Sequence, residues 1–171
     1  MKRIALICLL VLGGAMTTQA QRFAYIDSDY IMENIPEYKA AEMEIERISI
    51  EWQNELEELF GEIERMFREY QAEAPLLPED IRRQREEAII SREQSAKELQ
   101  MQRFGRDGEL FRKRQDMIKP IQDRIFDAVQ EIATRGNYAV IFDKSGGLTM
   151  LYTDVRYDLS DEVLQALGYR R

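Results

Sequence analysis

The apolar positions of residues 37–74 follow the spacing of a coiled-coil helix. They recur at alternating steps of three and four residues, which places them in one stripe along a helix. This seam consists of Tyr38, Ala41, Ile45, Ile48, Trp52, Leu56, Leu59, Ile63, Met66 and Tyr70. Two successive four-residue steps centred on Trp52 form a stutter, which locally relaxes the supercoil. The pattern predicts one long arm of a coiled coil.

A second helical arm is predicted after the proline-containing segment 74–78. Pro78 suits the first turn of a helix, where its missing N–H group costs nothing. Glu79 and Asp80 suit the positive end of the helix dipole. The two arms are therefore expected to pack as an antiparallel hairpin with its tip near residues 74–80.

The second arm carries residues that interrupt a helix. By its apolar spacing it extends to about residue 133. Gly105 and Gly108 each cost about 1 kcal/mol of helix stability relative to alanine, so a bend is predicted there. Pro120 removes one backbone hydrogen bond and predicts a kink where the arm meets the rest of the protein.

Short elements flank the arm at both ends of the chain. Residues 22–27 and 138–143 are rich in β-branched and aromatic residues and predict strands, and residues 148–152 predict a third strand after a turn. Short helices are predicted through residue 34, capped by Ser28 or Asp29, and from Ser160 to residue 167. These elements would form a base beside the open end of the hairpin.

The predicted fold is therefore α+β and mostly α. A long antiparallel coiled-coil hairpin, residues 37–117, emerges from a β base of about three short strands, residues 21–36 and 118–171. A base of about 70 residues is small for a single core without disulfides or metals. Oligomerisation is therefore expected to stabilise the base.

Residues 1–20 have the features of a secretory signal peptide. Lys2 and Arg3 precede a short apolar run, and small residues precede the expected cleavage after Ala20. Cys8, the single cysteine, would leave with this segment. The mature chain would then have no disulfide, although its compartment would permit one.

The charge balance is acidic and unevenly distributed. The chain has 24 basic and 32 acidic residues, and loss of Lys2 and Arg3 leaves a mature charge of −10. Such a surface repels phosphate backbones and anionic headgroups, so nucleic acid is not an expected partner and membrane contact is disfavoured. The first arm has 12 acidic and 4 basic residues, whereas residues 79–119 have 9 and 11, which favours pairing of the two arms.

The residue types argue against an enzyme. The chain contains no histidine, so the commonest general base and zinc ligand is missing. The carboxylates of Glu57, Glu58, Glu62 and Glu64 fall on the polar face of an arm, with no apolar pocket to shift a pKa. The glycine-rich turn at residues 144–147 lacks the spacing of a phosphate-binding loop. We expect no catalytic residue, no cofactor and no metal.

Two kinds of apolar residue on the arm are candidates for partner contacts. Phe60 and Phe67 fall one position off the seam and either face a partner or flank the core. Leu76 and Leu77 lie between two prolines at the tip, where they either contact apolar partners or pack on each other.

The order of the short motifs resembles the Skp (OmpH) family of periplasmic chaperones across nearly all of the mature chain. The resemblance rests on residues 23–28 (FAYIDS), 36–41 (PEYKAA), 121–125 (IQDRI), 136–145 (GNYAVIFDKS) and 158–164 (DLSDEVL). It implies a homotrimer in the periplasm whose arms enclose a cavity that holds unfolded outer-membrane proteins without ATP. It also implies a joint β body that contains Tyr25, Ile26, Val140, Ile141, Phe142 and Leu151.

The charge of this chain differs from that of the better-known family members, which are basic. Electrostatic capture of clients would therefore fall on the basic surface of the second arm, at Arg82, Arg83, Arg85, Arg103 and Arg106. An alternative function is that of a structural or adaptor coiled coil of the cell envelope, which would bind one folded partner at a defined patch.

Overall fold

The computed structural model describes residues 21–147 and 149–169 and places a long helical hairpin on a small α/β base. The strands are β1 (Arg22–Ile26) and β2 (Tyr138–Asp143). The helices are α1 (Ser28–Glu33), α2 (Pro36–Glu73), α3 (Glu79–Phe104), α4 (Glu109–Gly136) and α5 (Ser160–Ala166). This confirms the mostly α, α+β fold class. The predicted signal peptide lies outside the described residues.

Helix α2 is the continuous element of the arm. It has 38 residues and therefore reaches about 57 Å. Pro36 occupies its first turn, as the fixed backbone angle of proline favours. All ten seam positions are buried or half-buried, which confirms the predicted heptad stripe. A short 3-10 turn, Ala74–Leu76, then reverses the chain into α3.

The second arm is two helices rather than one, because the chain breaks between Phe104 and Glu109. At this break a Cβ on Gly105 would collide with the carbonyl oxygen of Met101. A Cβ on Gly108 would lie 2.9 Å from the carbonyl oxygens of Gln102 and Arg103. Only glycine fits such close backbone approaches, so the predicted bend is a complete interruption of the helix.

Helix α4 continues from the break past Pro120 and ends at Gly136. Asn137 follows in the left-handed conformation (φ 51°), and its N–H is directed at the carbonyls of Ala133 and Thr134. This arrangement is a common helix terminus, and it turns the chain directly into β2.

The two strands form a parallel sheet, since the whole hairpin connects them. Ala24 pairs with Ile141 on one face, and both contribute to the base core. Phe23 pairs with Val140, and Tyr25 with Phe142, on the other face. The sheet is therefore apolar on both faces, and only one of them is covered by the core.

The predicted third strand does not form among the described residues 149–152. Leu151 is 96% exposed and has no neighbouring strand. The second edge of β1 is instead met by the chain near residue 158, where the Leu159 N–H donates to the Tyr25 carbonyl at 2.9 Å. A strand needs a hydrogen-bonding neighbour, and residues 21–147 and 149–169 do not supply one to residues 149–152.

The core of the base joins residues far apart in sequence. The strands, α1, α4 and α5 converge on one apolar cluster. Its buried members are Ala24, Ile26, Ile31, Ile35, Ile121, Ile125, Ala128, Ile132, Leu159, Val163 and Leu164. Burial of these side chains holds β1 and α1, from the start of the described chain, against α5, from its end, at the foot of the hairpin.

A carboxylate at the end of β2 fixes the start of α1. Asp143 accepts hydrogen bonds from the Ser28 hydroxyl at 2.7 Å and the Ser28 N–H at 3.1 Å. It also accepts bonds from the Ser145 hydroxyl at 2.9 Å and the Ser145 N–H at 3.2 Å. The Ser28 hydroxyl is thus bound to Asp143. The N-cap of α1 is Asp27, whose carboxylate accepts a hydrogen bond from the Tyr30 N–H at 3.1 Å. This corrects the expected cap at Ser28 or Asp29.

Replacement of Asp143 by asparagine is expected to destabilise the protein at neutral pH by about 1 to 3 kcal/mol, because the hydrogen bonds to a charged acceptor are weakened. Partial burial alone raises the pKa of Asp143, but the four hydrogen bonds outweigh burial and hold this pKa below its usual 3.8. The stabilisation is therefore present above pH 3.8 and is lost as the pH falls through the lower folded-state pKa. Urea unfolding at pH 7 and at progressively lower pH measures it.

The control for this experiment is Asp116→Asn, which removes an exposed carboxyl of α4. Its unfolding midpoint at pH 7 should match that of the unchanged protein. A D143N variant as stable as this control at pH 7 would contradict the stabilising role of Asp143.

Candidate functional site

Two exposed aromatic residues of the arm, Phe60 and Phe67, lie on one flank of α2. Phe60 is 36% exposed and Phe67 is 45% exposed. They are seven residues apart, so they lie above one another on the helix, beside the seam rather than in it. Sequence spacing predicted this offset, and the burial values show that neither ring is enclosed by α3.

Helix α3 adds an apolar residue to the same flank. The ion pairs Glu62–Arg92 at 3.2 Å and Glu73–Arg85 at 3.1 Å fix the register of the two helices. In this register Ile90, which is exposed, lies level with Phe67 on the flank opposite the two ion pairs. We call Phe60, Phe67 and Ile90 the aromatic flank of the arm. The sequence pattern had not singled out Ile90.

The tip of the hairpin separates its two leucines. Leu76 is 86% exposed, whereas Leu77 is half-buried and donates its N–H to the Ala74 carbonyl at 3.4 Å. Leu76 therefore extends the exposed apolar surface of the arm to its far end. An apolar residue this exposed is available for contact with a partner.

The predicted cationic residues of the second arm differ in their surroundings. Arg82 pairs with Glu79, and Arg85 pairs with Glu73 across the hairpin. Arg83 and Arg106 are exposed and form no ion pair within residues 21–147 and 149–169. Exposed pairs are worth only about 0 to 1 kcal/mol, so Arg82 and Arg85 stay accessible to a competing anion.

Arg103 is the arginine most enclosed by its own chain. Its guanidinium lies 4.3 Å from the centre of the Trp52 ring. It also pairs with Glu55 at 3.8 Å and with Glu109 at the start of α4. Its Nε is buried without a hydrogen-bond partner in the part of the chain that the structure describes. The structure thus places Arg103 between the helices of the arm rather than on its exposed cationic surface.

The outer face of the sheet is a second apolar surface. An open groove of about 780 Å³ runs along it. The groove is lined by Phe23, Tyr25, Phe142, Met150, Tyr152 and Tyr157, among others. Three of the predicted body residues lie on this face: Tyr25, Val140 and Phe142. Leu151 lies beyond it. Ile26 and Ile141 instead belong to the core of the base. Spacing along the chain had not indicated Tyr152 or Tyr157.

The described residues provide no metal-binding or membrane-spanning element. Within residues 21–147 and 149–169, no cluster of three or more acidic side chains is placed to hold a metal ion. Over the same ranges, no helix combines the length and the apolar character needed to cross a membrane.

The fold defines an elongated class of protein, a long helical hairpin rooted in a small α/β base. The sequence matches the model of the family "Outer membrane protein (OmpH-like)" over residues 22–167. The chain therefore belongs to the OmpH-like family, as the motif order indicated. A comparison with curated proteins finds no match.

A solved structure from Caulobacter crescentus is similar to this fold. That protein is a candidate outer membrane chaperone (OmpH-like). The TM-score is 0.70 with 14% sequence identity, over 90% of this chain and 88% of that one. At this identity the similarity supports the fold alone.

Proposed function

We propose that this protein is an ATP-independent holdase chaperone that binds unfolded outer-membrane proteins in the periplasm and prevents their aggregation. The observation that carries the proposal is the aromatic flank, an exposed apolar surface on a projecting arm. Membership of the OmpH-like family supports it, and so does the chaperone role suggested for the Caulobacter crescentus relative. The signal-peptide features of residues 1–20 support export to the periplasm.

The working form in this proposal is a homotrimer joined through the outer face of the sheet. That face exposes apolar residues on a groove of about 780 Å³, and beside it lie residues 149–152, which pair with no strand among the described residues. Strands from neighbouring protomers would cover the groove and would pair with residues 149–152. Exposed apolar surface of this extent on a small base is more typical of an interface than of a surface in water.

Holding a client in this way requires no nucleotide. Unfolded barrel proteins expose alternating apolar residues and unpaired strand edges, which aggregate with one another. Each arm would offer a few weak apolar contacts through its aromatic flank, and three arms around one cavity would add avidity. Acidic residues on the rest of α2 would keep the loaded complex soluble.

The test is light scattering after a urea-unfolded outer-membrane barrel protein is diluted into buffer with the 21–171 chain and no nucleotide. The expected result is suppression of aggregation at about one trimer per client, for several unrelated barrels. Unchanged aggregation of every barrel would refute the holdase. It would favour the alternative of an envelope adaptor, whose many surface ion pairs suit a spacer that binds one folded partner.

A further inference from the structure

The apolar packing of the arm is divided into two separate clusters. Near the base, Ala41, Ile45 and Ile118 pack together between α2 and α4. Toward the tip, a second cluster contains Ile63, Ile89 and Ala96, between α2 and α3. The α3–α4 break lies between these clusters. The arm is thus two packed segments that share the continuous helix α2.

The connector at the break, residues 105–108, contributes no apolar side chain to either cluster. It consists of Gly105, Arg106, Asp107 and Gly108, and both charged side chains are exposed. Its backbone is held by single bonds, such as Gly108 N–H to Gly105 carbonyl at 2.9 Å. Such a segment, which contributes no buried side chain, belongs to the less stable part of a fold. The closure of the break must therefore come from neighbouring side chains.

Arg103 supplies that closure because it contacts all three helices. It lies on α3, stacks on Trp52 of α2 at 4.3 Å, and pairs with Glu109 of α4. Glu109 also accepts a hydrogen bond from the Gln102 side chain at 2.7 Å. Phe104 adds an edge-to-face contact with Trp52, with ring centres 6.3 Å apart. A guanidinium can stack and form ion pairs at the same time, and an ammonium cannot do so with the same geometry.

Helix α2 passes this point at the stutter in its seam. Ile48, Trp52 and Leu56 are buried there but belong to neither cluster. The coiled-coil supercoil is locally relaxed at such a step. The stutter of α2 and the break in the second arm therefore lie at the same level.

We propose that Arg103 is the latch of a joint in the arm, which holds the α3–α4 break closed against Trp52 and whose release lets the distal segment bend relative to the base. Arg103 is then a positioning residue and not a client-binding cation. The joint is a property of the arm itself, so it stands whether or not the holdase proposal is correct. In a holdase it would set how far the aromatic flanks of neighbouring arms separate.

Fluorescence of Trp52 tests the latch directly, because Trp52 is the only tryptophan of the chain. Acrylamide quenching is measured on the folded 21–171 chain and on Arg103→Gln. Loss of the stacked guanidinium is expected to raise the quenching constant about two- to fourfold. The matched control is Arg106→Gln, which removes the same charge from an exposed position of the same break and should leave quenching unchanged. Equal quenching in the two variants would overturn the latch.

Hydrogen exchange distinguishes a joint from a general loss of stability. In R103Q, faster exchange is expected for amides near the break, residues 101–112, and at the stutter, with the base and the distal cluster unchanged. Arg103→Lys should behave like R103Q, since lysine keeps the charge without the stacked bridge. Faster exchange spread evenly over α2 and the base would overturn the joint, because Arg103 would then stabilise the fold as a whole. Normal exchange in R103K would also overturn the stacked latch, because it would show that the positive charge alone keeps the break closed.

Discussion

Replacing Val140 with aspartate is expected to convert the proposed trimer into folded monomers. Val140 lies on the outer face of the sheet, where it pairs with Phe23 and is 40% exposed in the single chain. An aspartate there remains hydrated in a monomer, so the fold of each chain should survive. In a trimer the carboxylate would be buried without a partner, which costs about 3 to 5 kcal/mol for each copy.

Sedimentation or light-scattering mass measures this change. The unchanged protein should have the mass of three chains and V140D the mass of one, with the same helical circular dichroism. The control is Ile90→Asp, which makes the same kind of substitution at an exposed position of the arm, far from the sheet. If V140D keeps the mass of the unchanged protein, the outer face of the sheet is not part of the oligomer interface.

Replacement of both Phe60 and Phe67 by glutamine is expected to weaken binding of an unfolded barrel protein at least about tenfold. A buried phenylalanine contributes about 1.5 to 3 kcal/mol, and these rings already bury part of their surface against the arm, so roughly half remains to be gained from a client. Two such losses in each arm are multiplied by avidity across the oligomer. The same substitutions leave the seam intact, since neither ring is enclosed by α3.

The arm offers a matched control for this pair. Met43 and Ile50 are also exposed apolar residues seven positions apart on α2, but they lie on the face opposite the seam, turned away from the second arm. Met43→Gln with Ile50→Gln should therefore hold the client as well as the unchanged protein. Client affinity is measured by fluorescence titration and confirmed by aggregation assays. An equal loss of client affinity in both double variants would show non-specific apolar binding. It would contradict a specific role of the aromatic flank in binding clients.

These two experiments also separate the two parts of the functional proposal. Loss of client binding in V140D with an intact fold would mean that a single arm is too weak to hold a client, as avidity requires. Retained binding in V140D together with loss in the phenylalanine variant would place recognition entirely within one hairpin.

Much of the arm could be predicted because helical periodicity is local. The ten seam positions repeat within single turns, so their burial follows from the sequence around each of them. The break at Gly105 and Gly108 was likewise visible in residue type. The residue types did not show that the helix is completely interrupted there. That interruption depends on carbonyls of α3 that approach the glycines only in the folded chain.

The surroundings of the charged residues could not be predicted in the same way. Arg103 and Arg106 lie only three residues apart in the sequence, yet one is stacked on Trp52 and the other is exposed. The difference arises from the register between α2 and α3, which places position 103 level with Trp52. Asp143 is a further example, because its partner Ser28 lies 115 residues earlier in the chain.

The sequence by itself determined the class of this protein: its repeat spacing specified a helical hairpin, and its motif order indicated the OmpH-like family. The tertiary structure decided which exposed residues share a flank, which arginine lies within the arm, and which face of the sheet remains uncovered. The physical reason is that periodicity, capping and composition act between near neighbours in the chain. A functional surface instead depends on contacts between distant segments, and folding alone fixes those.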